Sequence, residues 1–183
     1  KNFRVLFTVT FLGIFGFSLF TQFLQIFFIE KFNYSVSDIG LFFGFVGIWI
    51  AFTQGFLIGK VRKKFSEAKI VQYAIPALAV ILILYIFPSK SMYLFCLAPF
   101  IAIFQGLYRP NLQAIISNSA SVEDQGEILG INQSVQSLAM TIPPILAGFI
   151  VSFDVHLPII FAAIFTFASF LVFLLFWANS YDR

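Results

Sequence analysis

QGLYRPNLQAIISNSASVEDQGEILGINQSVQSLAMTIPPILAG, from Gln105 to Gly148, decides how the rest of the chain is read. It holds Arg109, directly before Pro110 and inside a long apolar run. It also holds the densest set of amides in the apolar part of the sequence: Gln105, Asn111, Gln113, Asn132, Gln133 and Gln136. Polar groups without water are costly, so an apolar helix carrying this many turns them toward protein or a water-filled cavity.

The surroundings say which solvent the helices meet. The 183 residues are 60% hydrophobic and 10% charged, with 28 Phe. Soluble domains usually carry about 25% charged residues. Several runs of about 18 or more mostly apolar residues make lipid the expected solvent and an all-α membrane protein the expected class. A soluble domain of this composition would expose large apolar patches. The single cysteine, Cys96, has no disulfide or metal-ligand partner and reads as a small buried hydrophobe. A net charge of +3 is too small to point to nucleic acid. There is no short signal peptide with a cleavage site. The chain opens on Lys1 rather than Met and is read as part of a longer chain. No nucleotide-binding loop, metal cluster or nucleophilic triad appears, so no catalytic residue, metal or cofactor is expected, and the chain does not read as an enzyme.

Six spans are predicted: 5–29, 39–59, 70–87, 92–117, 125–153 and 158–178. Pro76 is expected to kink the third, Pro99 and Pro110 to bend the fourth, and Pro143-Pro144 to interrupt the fifth. Pro158 suits a first helical turn. In the first span Ser18, Thr21, Gln22 and Gln25 recur at three- and four-residue steps and share one helical face. That stripe lines a cavity or makes a helix–helix contact. In the second, Gly40, Gly44, Gly47, Gly55 and Gly59 allow close helix approach. Spans three and six are the most uniformly apolar.

Lys60, Arg62, Lys63, Lys64 and Lys69 crowd the loop after the second span. With six spans, the side holding that loop and both termini carries eight basic residues and the other side carries two, Lys31 and Lys90. The excess places both termini in the cytoplasm. Ser35-Val36-Ser37-Asp38-Ile39-Gly40, with Gly44 following, and Ser121-Val122-Glu123-Asp124-Gln125-Gly126, with Gly130 following, both fit S-V-x-D-x-G-x-x-x-G at a distance of 86 residues. One copy lies outside and the other inside, as two inverted three-helix units over about 1–90 and 91–183 would place them. Ser and Asp at a helix start are also ordinary capping chemistry.

The inverted arrangement, the loop QGFLIGKVRKKFSEAK (Gln54 to Lys69), and GLYRPNLQAIIS (Gly106 to Ser117) with QGEILGINQSVQSLAMTIPPILAG (Gln125 to Gly148) together resemble one family. The whole chain looks like the C-terminal half of a major facilitator superfamily transporter, and within it the tetracycline-resistance-like drug/proton antiporter branch. Gly55 and Leu57 fit the family's Gly-x-Leu loop, and Lys63-Lys64 supply its basic pair. Gly59 stands where an acid is often found, and Ser66 where glycine is common. The antiporter signature would belong to the N-terminal half.

The resemblance implies one six-helix bundle over residues 1–183. Spans one and four would line the cavity, two and five flank it, and three and six face lipid. It implies secondary active transport of a small organic solute by alternating access, as proton-coupled efflux, in the cell (inner) membrane. The implied partners are membrane lipid, an N-terminal six-helix half, the solute and protons. The alternative is a non-transporting membrane module, or an isolated bundle that needs a partner half.

Gln105, Arg109 and Gln113 stand four residues apart on one face of the fourth span. Arg109 lies roughly 12 Å from the cytoplasmic end by helix rise. Its guanidinium either faces the cavity, meeting an anionic group of the solute or an acid of the other half, or snorkels to the interface. On the fifth span Gln133, Ser137 and Thr141 share a face, and Asn132 and Gln136 lie on the next. The cavity set is therefore Ser18, Thr21, Gln22, Gln25, Gln105, Arg109, Gln113, Gln133 and Ser137. Gly40, Gly44, Pro110, Gly126, Gly130, Pro143 and Pro144 are expected to pack or bend helices. His156 reads as a solvated loop residue.

Overall fold

The computed structural model describes residues 2–151 and 153–178, with the backbone alone at 147, 148, 151 and 178. The tail 179–183 and the charges of Lys1 and Arg183 used in the sidedness count lie outside the described residues. Six long helices follow one another: α1 Phe3–Phe32, α2 Val36–Arg62, α3 Glu67–Leu84, α4 Ser91–Ser119, α5 Gln125–Val151 and α6 Leu157–Phe173. A π-helical turn, Thr53–Leu57, interrupts α2, and another, Leu174–Ala178, continues α6. There is no strand among the described residues. Helices α1, α2, α3, α4 and α6 are long and apolar enough to cross a membrane. The 27 residues of α5 reach about 40 Å, which is also enough.

Local chemistry sets the ends. Ser35 caps α2 by accepting from the Asp38 amide at 3.2 Å, while the Asp38 carboxylate accepts from the Ser35 amide at 2.9 Å. The second S-V-x-D copy folds the same way: the Asp124 amide donates to Ser121 Oγ at 3.1 Å, and that hydroxyl donates to the Asp124 carboxylate at 2.6 Å. α1 ends at Asn33, in the left-handed region at φ 53°, whose amide donates to the Ile29 carbonyl. Pro158 sits in the first turn of α6 as expected.

Two expectations are corrected. Pro143 and Pro144 do not break α5; it runs unbroken from Gln125 to Val151. The ring's fixed φ is already helical, and each proline removes one amide bond, a loss that neighbouring helices absorb in membrane bundles. Pro76, Pro99 and Pro110 likewise lie inside continuous helices. Cys96 is exposed on α4 rather than buried.

Helix α1 packs along α5 and α6, α4 packs along α2 and α3, and α3 meets α6. The pattern maps onto itself when α1 is exchanged with α4, α2 with α5, and α3 with α6. Aromatic contacts weld the interior, among them Phe28 on Phe42 with centroids 4.7 Å apart and Phe20 on Tyr85 at 5.2 Å. Lys31 Nζ donates to the Ile86 carbonyl at 3.0 Å, tying the end of α1 to the end of α3.

Between apolar helices in lipid, close van der Waals fit replaces the hydrophobic effect as the driving force, and small residues permit it. The glycines that serve here are Gly13, Gly16 and Gly106. A Cβ on Gly13 would collide with the Tyr108 hydroxyl. One on Gly16 would lie 2.6 Å from the Ala162 carbonyl oxygen, and one on Gly106 2.9 Å from the Thr53 methyl. The close approach expected at Gly40, Gly44, Gly47, Gly55 and Gly59, and at Gly126 and Gly130, is not made among the described residues: none of them lies within 4 Å of a Cβ at any of these positions. These residues fall on helices with little cover. Only 11% of the most apolar window of α2 is buried, against 56% for α1. α3 and α6 each bury one face and expose the other, with Tyr73, Val80 and Ile83 outward on α3, and Ile160, Ile164 and Phe167 outward on α6.

Candidate functional site

The amide-rich wall is built on α4 and closed by α1, α5 and the π turn of α2. A pocket of about 400 Å³ opens there, and Gln105, Arg109 and Gln113 all line it. The four-residue step thus delivers one face of α4 to one space. An adjoining compartment of about 230 Å³ shares Gln105 and Arg109 and adds Ser18, Thr21 and Gln22 from α1. The α1 stripe and the α4 face therefore meet.

Amide hydrogen bonds tie α4 to α5. Gln113 Oε1 accepts from Asn132 Nδ2 at 2.7 Å and from Gln136 Nε2 at 3.4 Å. Arg109 in turn donates from one terminal nitrogen to Gln136 Oε1 at 3.3 Å. That is one bond from a group with five N–H donors, on an exposed side chain. Among the described residues no carboxylate lines either compartment. Three buried polar atoms of lining residues lack a partner: Thr10 Oγ1, Gln105 Oε1 and Asn132 Oδ1. An unpaired buried oxygen is costly, so a water or a bound group that donates to it is favoured there.

The structure separates the sequence candidates. Gln133 lines the larger pocket, with Asn132 and Gln136 beside it. Ser137 does not; its hydroxyl donates to the Gln133 carbonyl at 3.0 Å, and Thr141 bonds back to Ser137 in the same manner. The inward face of α5 carries Asn132, Gln133 and Gln136, both residues of one face that the sequence distinguishes and one residue of the other. Gln25 is exposed and lines neither compartment. Pro110 lines the pocket beside Arg109, while Pro143 and Pro144 do not.

Thr10, Ile50, Gln54 and Tyr108 also line the pocket. Thr10 was legible: the stepping that joins Thr21, Phe17 and Ile14 continues back to it. Gln54 reaches inward from the π turn, whose register no 3.6-residue period reveals. Tyr108 is buried and donates to the Val9 carbonyl at 3.3 Å, which Ser169 also engages at 2.8 Å. That junction of α1, α4 and α6 fixes the rotation of α4 and so the direction of Arg109.

The basic loop divides. Arg62 Nε donates to Asn111 Oδ1 at 2.9 Å, and its terminal nitrogen pairs with Glu67 at 3.2 Å. Asn111 is fully buried and also donates to the Leu107 carbonyl. Asn111 is therefore a clasp for the loop rather than a cavity residue. Lys60, Lys63 and Lys64 are exposed and make no ion pair among the described residues. At the other end, the Asp154 carboxylate accepts from the His156 amide at 2.6 Å and faces its Nδ1 at 2.9 Å. These hydrogen bonds, the backbone one first, hold Asp154 below the usual carboxylate range. The His156 ring meets Phe27 edge-on, with centroids 5.9 Å apart.

Long apolar helices, four of which line a polar, solute-sized pocket holding Arg109, define a helical membrane protein. The chain belongs to the Major Facilitator Superfamily, whose family model matches residues 6–182. It is similar to Multidrug resistance protein 2 of Bacillus subtilis (strain 168), 27% identical over 158 residues, which are 86% of this chain and 39% of that protein. It is also similar to Quinolone resistance protein NorA of Staphylococcus aureus (strain COL), 31% identical over 143 residues, 78% of this chain and 36% of that one. A crystal structure of peptide transporter POT in complex with alafosfalin has the same fold: TM-score 0.77 at 19% identity, covering 95% of this chain and 38% of the other. The chain thus spans about two-fifths of the length of these proteins.

Proposed function

We propose that this chain is the C-terminal six-helix half of a secondary active transporter that exports a small organic solute by alternating access, driven by protons. The observation that carries the reading is Arg109. It stands in an open polar pocket lined by no carboxylate, in a wall whose flanking helices α2 and α5 are poorly covered. An N-terminal bundle seated on α2 and α5 closes that pocket from the opposite side. Arg109 then holds an anionic or acceptor-rich group of the solute, and the amides of Gln105, Gln113, Gln133 and Gln136 adapt to the remainder. Relatives named for multidrug and quinolone resistance support an organic, drug-like solute and the outward direction. The matched capping turns and the self-mapping packing support two inverted three-helix units. The lysine-rich loop supports a cytoplasmic placement of both ends.

The test is an assay in sealed vesicles with an imposed proton gradient, comparing the chain alone with the chain joined to an N-terminal bundle. The joined protein is expected to move a fluorescent organic dye, and the chain alone is expected not to. Transport by the chain alone as a monomer contradicts the need for a second half. No transport by the joined protein favours a non-transporting module.

A further inference from the structure

A second groove lies away from the polar pocket, where the cytoplasmic end of α2 meets α3 and α4. Its volume is about 160 Å³, and Val61, Phe65, Ile70, Tyr73, Phe104 and Leu107 line it together with one charged side chain, Lys69. Phe65 and Tyr73 are 50% and 69% exposed, so the groove opens outward. Lys60, Lys63 and Lys64 lie within two residues of its lining residues Val61 and Phe65 in the chain, and they are exposed and free of ion pairs among the described residues. The one acid in this segment, Glu67, is taken by Arg62. An apolar slot lined by Lys69, with further unneutralised lysines on the same loop, matches a single kind of molecule: a hydrocarbon tail carrying an anionic head.

We infer that this groove is a binding site for an anionic phospholipid, with an acyl chain between α3 and α4 and the phosphate on Lys69 and the neighbouring lysines. A zwitterionic choline lipid fits less well, because no free carboxylate stands there to meet its cation. Arg62 does not bind the head; its bonds to Asn111 and Glu67 hold the loop against α4.

Native mass spectrometry of the chain in detergent tests the site, with dioleoylphosphatidylglycerol, dioleoylphosphatidylcholine and inorganic phosphate as separate probes. Phosphatidylglycerol is expected to remain bound at concentrations about tenfold or more below those needed for phosphatidylcholine. The triple change Lys63→Gln, Lys64→Gln and Lys69→Gln should weaken it by about fivefold per lysine, on the order of a hundredfold in all. Phe65→Ser with Tyr73→Ser, both at exposed positions, should weaken it on the order of tenfold while leaving the charges in place. Lys90→Gln, on the connection between α3 and α4, should change nothing. Equal retention of the two lipids overturns the site, as does indifference to the serine pair. Displacement of the lipid by an equal concentration of inorganic phosphate also overturns it, since that would mean a headgroup site without a groove.

Discussion

Gly16 and Gly44 are both glycines inside long apolar helices, on α1 and α2. At Gly16 a Cβ would press on the Ala162 carbonyl oxygen at 2.6 Å and on Thr166 Oγ1 at 2.7 Å; at Gly44 it would meet nothing within 4 Å. Gly13 and Gly106 side with Gly16, while Gly40, Gly126 and Gly130 side with Gly44. The first set holds this bundle together from within. The second lies on α2 and α5, the two helices that flank the pocket. A small residue in a membrane helix serves through what comes close to it, and for the second set nothing among the described residues does. The contrast separates the finished seams of the bundle from the face we assign to a second one.

The largest effect should come from the finished seam. Gly16→Ala should cost the chain about 2–3 kcal/mol, because a backbone carbonyl cannot step aside as a flexible side-chain end does. Thermal unfolding in detergent reads it out; an unchanged midpoint would mean that the seam is looser than it looks. Arg109→Gln should leave that midpoint alone yet lower transport of an anionic solute by the joined protein on the order of tenfold or more, the worth of a charge-assisted hydrogen bond. Arg109→Lys separates a bidentate grip from a point charge, since only the first is lost with the fork-shaped guanidinium. Transport that survives the lysine argues against bidentate binding.

Smaller effects sharpen the other side of the contrast. Gly44→Ala and Gly130→Ala should each stabilise the chain alone by up to about 1 kcal/mol, since alanine is the better helix former and meets no neighbour. In the joined protein the same changes should lower activity or assembly. The smallest effect belongs to Asp154. Its pKa is depressed in the folded chain, so its contribution is present above its ordinary value of 3.8 and is lost as pH falls through the lower folded value. Asp154→Asn should therefore lower the unfolding midpoint slightly at neutral pH and remove a shallow acid-side decline, so that the two proteins converge at low pH.

Much of this architecture was legible because lipid leaves few options. Long apolar runs separated by short polar loops dictate helices. A four-residue step among polar residues such as Gln105, Arg109 and Gln113 dictates a shared face. Contacts between helices were hidden. Gly13 and Gly16 stand among phenylalanines with nothing local to mark them, whereas Gly40 and Gly44 carry the familiar spacing of four and meet no neighbour among the described residues. Gln54 depends on a π turn, and α5 turns Gln136 inward where a choice between two faces excluded it. Pro143-Pro144 misled because the lost hydrogen bond and the ring's clash with the carbonyl four residues back end an isolated helix in water more readily than one supported by a bundle in lipid. The amide network across Gln113, Asn132 and Gln136 is a tertiary fact, set by how α4 and α5 lie against each other.

The central claim is that the glycine-bearing sides of α2 and α5 are covered by a second bundle. Single cysteines at Gly44→Cys and Gly130→Cys, with the exposed Cys96 replaced by serine, test it through their rate of maleimide labelling. Measured in the chain alone and in the chain joined to its N-terminal half, both positions are predicted to label readily in the first and to be strongly protected in the second. Equal labelling of both positions in the two forms would contradict the account.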